Sequence, residues 1–88
     1  MIQAKGRVTN KLGLHARTAV TIVNALSRFK SEVYFAKDDM RVSAKSILGV
    51  MMLEASQGTE LVLECEGEDE EDAMKAILDL FENRFGED

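Results

Sequence analysis

With 88 residues, 16 of them acidic and 11 basic, the chain has room for one modest core and lacks the basic excess of a general nucleic-acid binder. A hydrophobic fraction of 45% argues against disorder, one cysteine excludes an internal disulfide, and one histidine leaves no cluster for a metal site. No run reaches the ~20 apolar residues of a membrane span, and MIQAKGRVTN holds no signal-like stretch, so a cytoplasmic protein without membrane insertion is expected.

Charge is unevenly placed. Lys5, Arg7, Lys11 and Arg17 all precede the first acid, Glu32, whereas acids crowd the segment from Glu64 to Asp72. No linker, repeat or low-complexity segment interrupts the chain, so residues 1–88 read as one domain.

Residues 2–8 alternate loosely and predict a strand, ended by a loop at Thr9, Asn10 and Gly13. From Ala16 to about Phe29, Ala19, Ile22, Val23 and Leu26 form a helical stripe suited to a core, with Arg17, Thr21, Asn24 and Arg28 opposite. Glu32 to Ala36 predicts a strand with Val33 and Phe35 on one side, followed by a turn at Asp38-Asp39 and a short strand, Met40 to Ser43. Ser46 is a good N-cap for a helix from Ile47 to Leu53. That helix is apolar nearly all round, so part of it should stay exposed.

A turn at Ser56-Gln57-Gly58-Thr59 precedes a strand over residues 60–66, in which Leu61, Leu63 and Cys65 share the core face. Asp69 should cap a last helix with Met74, Ile77, Leu78, Phe81 and Phe85 buried and Gly86 as its C-terminal stop. The order β-α-β-β-α-β-α predicts an α+β open sandwich, with helices on one face of an antiparallel sheet.

His15 falls where the glycine-containing loop meets the first helix. The first turn of a helix offers unpaired backbone N–H groups and a partial positive charge, which together make an anion site. Here the donors would be the N–H groups of Ala16, Arg17 and Thr18. That field disfavours imidazolium and would stabilise a negative group added to the ring. The Arg17 guanidinium could pair with phosphoryl oxygens, and Gly13 permits a sharp turn before the helix. No Ser-His-Asp or Cys-His arrangement accompanies His15.

Gly13-Leu14-His15-Ala16-Arg17 with Ala19 resembles the active-site signature of HPr, the histidine-containing phosphocarrier of the bacterial phosphotransferase system. Ala44-Lys45-Ser46-Ile47-Leu48-Gly49-Val50-Met51 resembles that family's regulatory serine segment. Ser56-Gln57-Gly58-Thr59 and Glu66-Gly67-Glu68-Asp69-Glu70 resemble its turn into the fourth strand and its entry into the last helix.

The resemblance spans the chain and implies an open-faced β-sandwich of four antiparallel strands and three helices. It implies a carrier rather than an enzyme, with no cofactor and no metal. The carrier would accept a phosphoryl group from phospho-Enzyme I, which draws it from phosphoenolpyruvate, and pass it to an enzyme IIA domain. In this family the group sits on Nδ1 of the histidine matching His15, steadied by the arginine matching Arg17. Thr18 departs from the pattern, for the family usually has proline there. The change restores a backbone donor and adds a hydroxyl, and it bears on transfer rate and on the lifetime of phospho-His15.

Serine at position 46 needs no role beyond capping. The resemblance adds that an ATP-dependent HPr serine kinase/phosphorylase can act there. A phosphate would be held by the helix N-terminus and would put roughly −2 charge beside apolar surface. A partner-docking face is expected with Ala16, Val20, Ile47, Leu48 and Met51 at its centre and Arg17, Thr21, Asn24 and Ser27 at its rim, while Val50 and Met52 fill the core. The acids from Glu66 to Asp72 suit a helix start rather than a cation loop. A monomer is expected. Two other readings stay open: an HPr-like regulator of a nitrogen-related phosphotransferase branch, and an α+β ligand-sensing domain in which His15 is inert.

Overall fold

The structure, a computed structural model, describes residues 1–87. Its elements are β1 (Ile2–Arg7), α1 (Ala16–Leu26), β2 (Glu32–Lys37), β3 (Met40–Ser43), α2 (Ile47–Met52), β4 (Glu60–Glu66) and α3 (Glu70–Glu82), with a final 3-10 turn at Arg84–Gly86. The strands form one antiparallel sheet in the order β1-β4-β2-β3. The helices lie on one face, so the α+β open-sandwich architecture holds.

The core follows from strand alternation. Val33 and Phe35 on β2 and Leu61, Leu63 and Cys65 on β4 point inward and are buried. From α1 they meet Ala19, Ile22 and Leu26, and from α3 they meet Ala73, Met74, Ile77 and Phe81. Gly6 of β1 keeps the sheet low beneath Phe81, since a Cβ there would lie 3.0 Å from that ring. Phe81 packs edge-on against Phe35, with ring centroids 5.7 Å apart, and against Phe85 at 4.9 Å. Burial pushes the Cys65 thiol up to about 11, assisted by Glu70 and Asp69, so it stays a protonated core residue.

Several details depart from the periodic reading. Val23 is half-buried, while Thr18 is fully buried on α1. Leu78 is exposed, and α3 closes its stripe with Ala73 instead. Met52 faces solvent, although Val50 beside it is buried as expected. Asp69 stands at the N-cap position of α3 but makes no side-chain cap. Its carboxylate instead accepts from the Lys30 and Ser31 N–H groups, both at 2.9 Å, and from the Ser31 hydroxyl. These bonds hold its carboxyl down to about 2 and tie the start of β2 to the start of α3.

Phe85 is buried as expected but lies beyond α3, which ends at Glu82. Arg84 and Phe85 both adopt left-handed backbone, with φ of 54° and 57°, and Gly86 follows at 76°. This reversal seats Phe85 in the core and returns the chain toward the start of α1.

Candidate functional site

The loop before α1 is organised around the carbonyl of Gly13. It accepts from the side-chain amide of Asn10 at 2.7 Å, the backbone N–H of His15 at 3.0 Å and the hydroxyl of Thr18 at 3.2 Å. Gly13 has φ of 68°, and a Cβ there would stand 2.4 Å from the Ala55 carbonyl oxygen, so glycine is required for backbone conformation and for space. The N–H of Leu14 donates to that same Ala55 oxygen at 2.9 Å, locking the loop to the segment after α2.

His15 is the N-cap residue of α1 in extended backbone, and its side chain makes no cap. The first N–H paired within the helix ladder is that of Ala19, which donates to the His15 carbonyl at 2.9 Å. The N–H groups of Ala16, Arg17 and Thr18 therefore lie in the first turn, where a helix has no carbonyl of its own to offer them. No acidic residue of that turn neutralises its positive end. The imidazole is partly exposed at 26% and the Arg17 side chain is largely exposed at 72%.

A further residue completes the cluster. Glu87 returns from the C-terminal reversal to His15 and is only 11% exposed. Its Oε1 lies 2.8 Å from His15 Nε2 and accepts from Asn10 Nδ2 at 3.0 Å. Its Oε2 accepts from the Thr18 hydroxyl at 2.8 Å and lies 3.9 Å from Arg17 Nε. Burial alone would push the Glu87 carboxyl up, but hydrogen bonds from His15, Thr18 and Asn10 outweigh it and hold the group below the ordinary carboxylate range. An ionised carboxylate can only accept, so Nε2 carries the proton in this contact, and in the neutral ring the lone pair sits on Nδ1.

Residues 2–83 match the family model described as the PTS HPr component phosphorylation site. The chain belongs to the HPr phosphocarrier family. That is a family of carriers of the phosphotransferase system rather than of enzymes. The chain is 50% identical over 88 residues to the phosphocarrier protein HPr of Xylella fastidiosa strain Temecula1, covering all of this chain and 99% of that one. Crystalline HPr-C-His from Thermoanaerobacter tengcongensis superposes with a TM-score of 0.95 at 46% identity, covering 100% of this chain and 99% of the other. An HPr dimer from the same organism superposes at 0.78 with 47% identity, covering 99% and 100%. Dimers therefore occur among the structural relatives.

Of the residues singled out from the sequence, His15, Arg17 and the first-turn N–H groups of Ala16, Arg17 and Thr18 fall together at one end of α1. Ser46 caps α2, its hydroxyl accepting from the Gly49 N–H at 3.0 Å. α2 packs beside α1. Val20, Ile47, Leu48 and Met51 are all exposed, Leu48 at 70%, as are Ala16, Asn24 and Ser27, while Thr21 is half-buried. Asn10 and Glu87 were missed. Asn10 read only as a loop residue, and nothing local to Glu87 tells that the chain doubles back. A shallow cleft of about 590 Å³ between Lys11, Leu12, Arg17, Phe85 and Glu87 adjoins the cluster. No helix is long and apolar enough to cross a membrane among the described residues.

Proposed function

We propose that this protein, as a single domain over residues 1–88, carries a phosphoryl group on Nδ1 of His15. It takes the group from phospho-Enzyme I and gives it to an enzyme IIA domain. The observation that carries this reading is the placement of a partly exposed imidazole at the N-terminus of α1, with three first-turn N–H groups and Arg17 around it. Those N–H groups and the guanidinium suit an anion of phosphoryl size. A side chain exposed at a helix end suits a group that larger partners must reach from both sides of the transfer.

The test is incubation with Enzyme I and labelled phosphoenolpyruvate. Acid-labile, alkali-stable label is expected on the natural protein and none on His15→Ala; absence of label on the natural protein would refute the reading. Acceptor screening with enzyme IIA domains then separates sugar uptake from control of a nitrogen-related branch. The exposed apolar residues Val20, Ile47, Leu48 and Met51 would dock both partners, with Arg17, Thr21, Asn24 and Ser27 around them.

Regulation at Ser46 belongs to the same reading. Its hydroxyl already lies at the start of α2, beside Ile47 and Leu48. Phosphorylation there by an HPr serine kinase/phosphorylase would replace the cap with roughly −2 charge at the edge of the docking face. Kinase with labelled ATP should mark the natural protein and not Ser46→Ala. The working unit is proposed to be a cytoplasmic monomer; a mass near two chains by light scattering would overturn that.

A further inference from the structure

The bonds around Glu87 are more than a tether for the tail. Its two carboxylate oxygens accept from three side-chain donors, His15 Nε2, Asn10 Nδ2 and Thr18 Oγ1. A carboxylate is the one side-chain group that accepts at both ends. Asn10 is committed to this arrangement. Both its described bonds run from Nδ2, to Gly13 and to Glu87, while its Oδ1 is buried with no partner among the described residues. A buried acceptor left without a partner is unfavourable, which marks the donor side as the one the fold requires. The backbone that delivers Glu87 is strained as well, with two successive non-glycine residues in left-handed conformation.

We propose that Glu87 is the positioning residue of the phosphoryl acceptor, holding the His15 ring by Nε2–H so that Nδ1 presents its lone pair and so that the charge formed on transfer is met. This rests on the carrier reading above. In the step, the Nδ1 lone pair forms the new P–N bond as the donor's own bond to phosphorus breaks, and the donor atom keeps that electron pair. The His15 ring, having kept its Nε2 proton, becomes cationic. The Glu87 carboxylate 2.8 Å from Nε2 faces that developing positive charge, and the transferred group keeps the N–H groups of the first turn to itself. Thr18 enters through its hydroxyl, which fixes the second oxygen of Glu87; a proline at that position could not do this.

The test pairs ring-nitrogen NMR of 15N-histidine-labelled protein with the kinetics of phosphoryl uptake from phospho-Enzyme I. In the natural protein the Nε2–H proton should be observable and slow to exchange with water. Glu87→Ala should lose that protection and slow the maximal rate of uptake about tenfold, with KM changed less than twofold. Thr18→Val, nearly isosteric and keeping its backbone N–H, should shift both readouts the same way by a smaller factor. An Nε2–H resonance equally protected in Glu87→Ala would overturn the proposal. Lost protection with an unchanged uptake rate would overturn it too, leaving the contact as tail anchoring only. If the natural protein takes no phosphoryl group, the carrier reading fails and the positioning role with it, while the NMR still reports whether the contact forms.

Discussion

Replacing Gly13 with alanine isolates the demand that the His15 loop makes on its backbone. At φ of 68° an L-residue is strained, by about 1–2 kcal/mol. The new Cβ would also stand 2.4 Å from the Ala55 oxygen and 2.9 Å from the Ser56 Cα, both backbone atoms that no rotamer change can move. Overpacking of this kind costs about 1–3 kcal/mol more. The sum is about 2–5 kcal/mol, and for a domain of this size each kcal/mol lowers Tm by about 4–8 °C.

Gly58→Ala is the internal control. Its φ is 93°, but nothing lies within 4 Å of the Cβ, so only the conformational share applies. Thermal and urea unfolding followed by circular dichroism should therefore place Gly13→Ala below Gly58→Ala by more than about 1 kcal/mol. Equal losses in the two variants would refute the argument that close approach to Ala55 fixes glycine at position 13. Because Asn10 and His15 both donate to the Gly13 carbonyl, the surviving folded fraction should also accept a phosphoryl group more slowly.

Ser46→Ala should lose about 1 kcal/mol through the missing cap on Gly49, read as a lower urea midpoint with an unchanged slope. Asp69 is held at about 2 when folded and returns to near 4 when unfolded, so its contribution is present above pH 4 and fades as pH falls toward 2. Asp69→Asn should thus be less stable at neutral pH and show a shallower acid loss between those values; parallel pH profiles would contradict the assignment. Leu48→Asp should leave unfolding within about 0.5 kcal/mol of the natural protein, since the side chain is 70% exposed, while raising KM for phospho-Enzyme I severalfold; an unchanged KM would remove α2 from the docking face.

The parts legible in the sequence are those written in local periodicity. β4 alternates strictly, so its span and buried face come directly from Leu61, Leu63 and Cys65. Ser46 and Gly13 carry their roles in their own chemistry, one as a cap and one as a turn. What escaped depends on contacts distant in sequence. Thr18 is polar and buried because Glu87, 69 residues away, accepts its hydroxyl. Asp69 looks like a cap, but the N–H groups of Lys30 and Ser31 reach it first. Gly86 marks a stop after the last helix, but the reversal begins at Arg84 and Phe85, two left-handed residues that no turn rule singles out.

The strand order carries a consequence for how the chain comes together as it is made. β2 and β3 are neighbours in sequence and in space and can zip as a hairpin once Met40–Ser43 exists. β1 is synthesised first, yet its partner is β4, with Ile2 paired to Cys65 and Arg7 to Glu60. The earliest strand must wait, with its hydrogen-bonding groups open, for about two-thirds of the polypeptide to follow. During that interval Lys5 and Arg7 are the charges that discourage pairing with another nascent chain, and closing this long loop is expected to set the pace of folding.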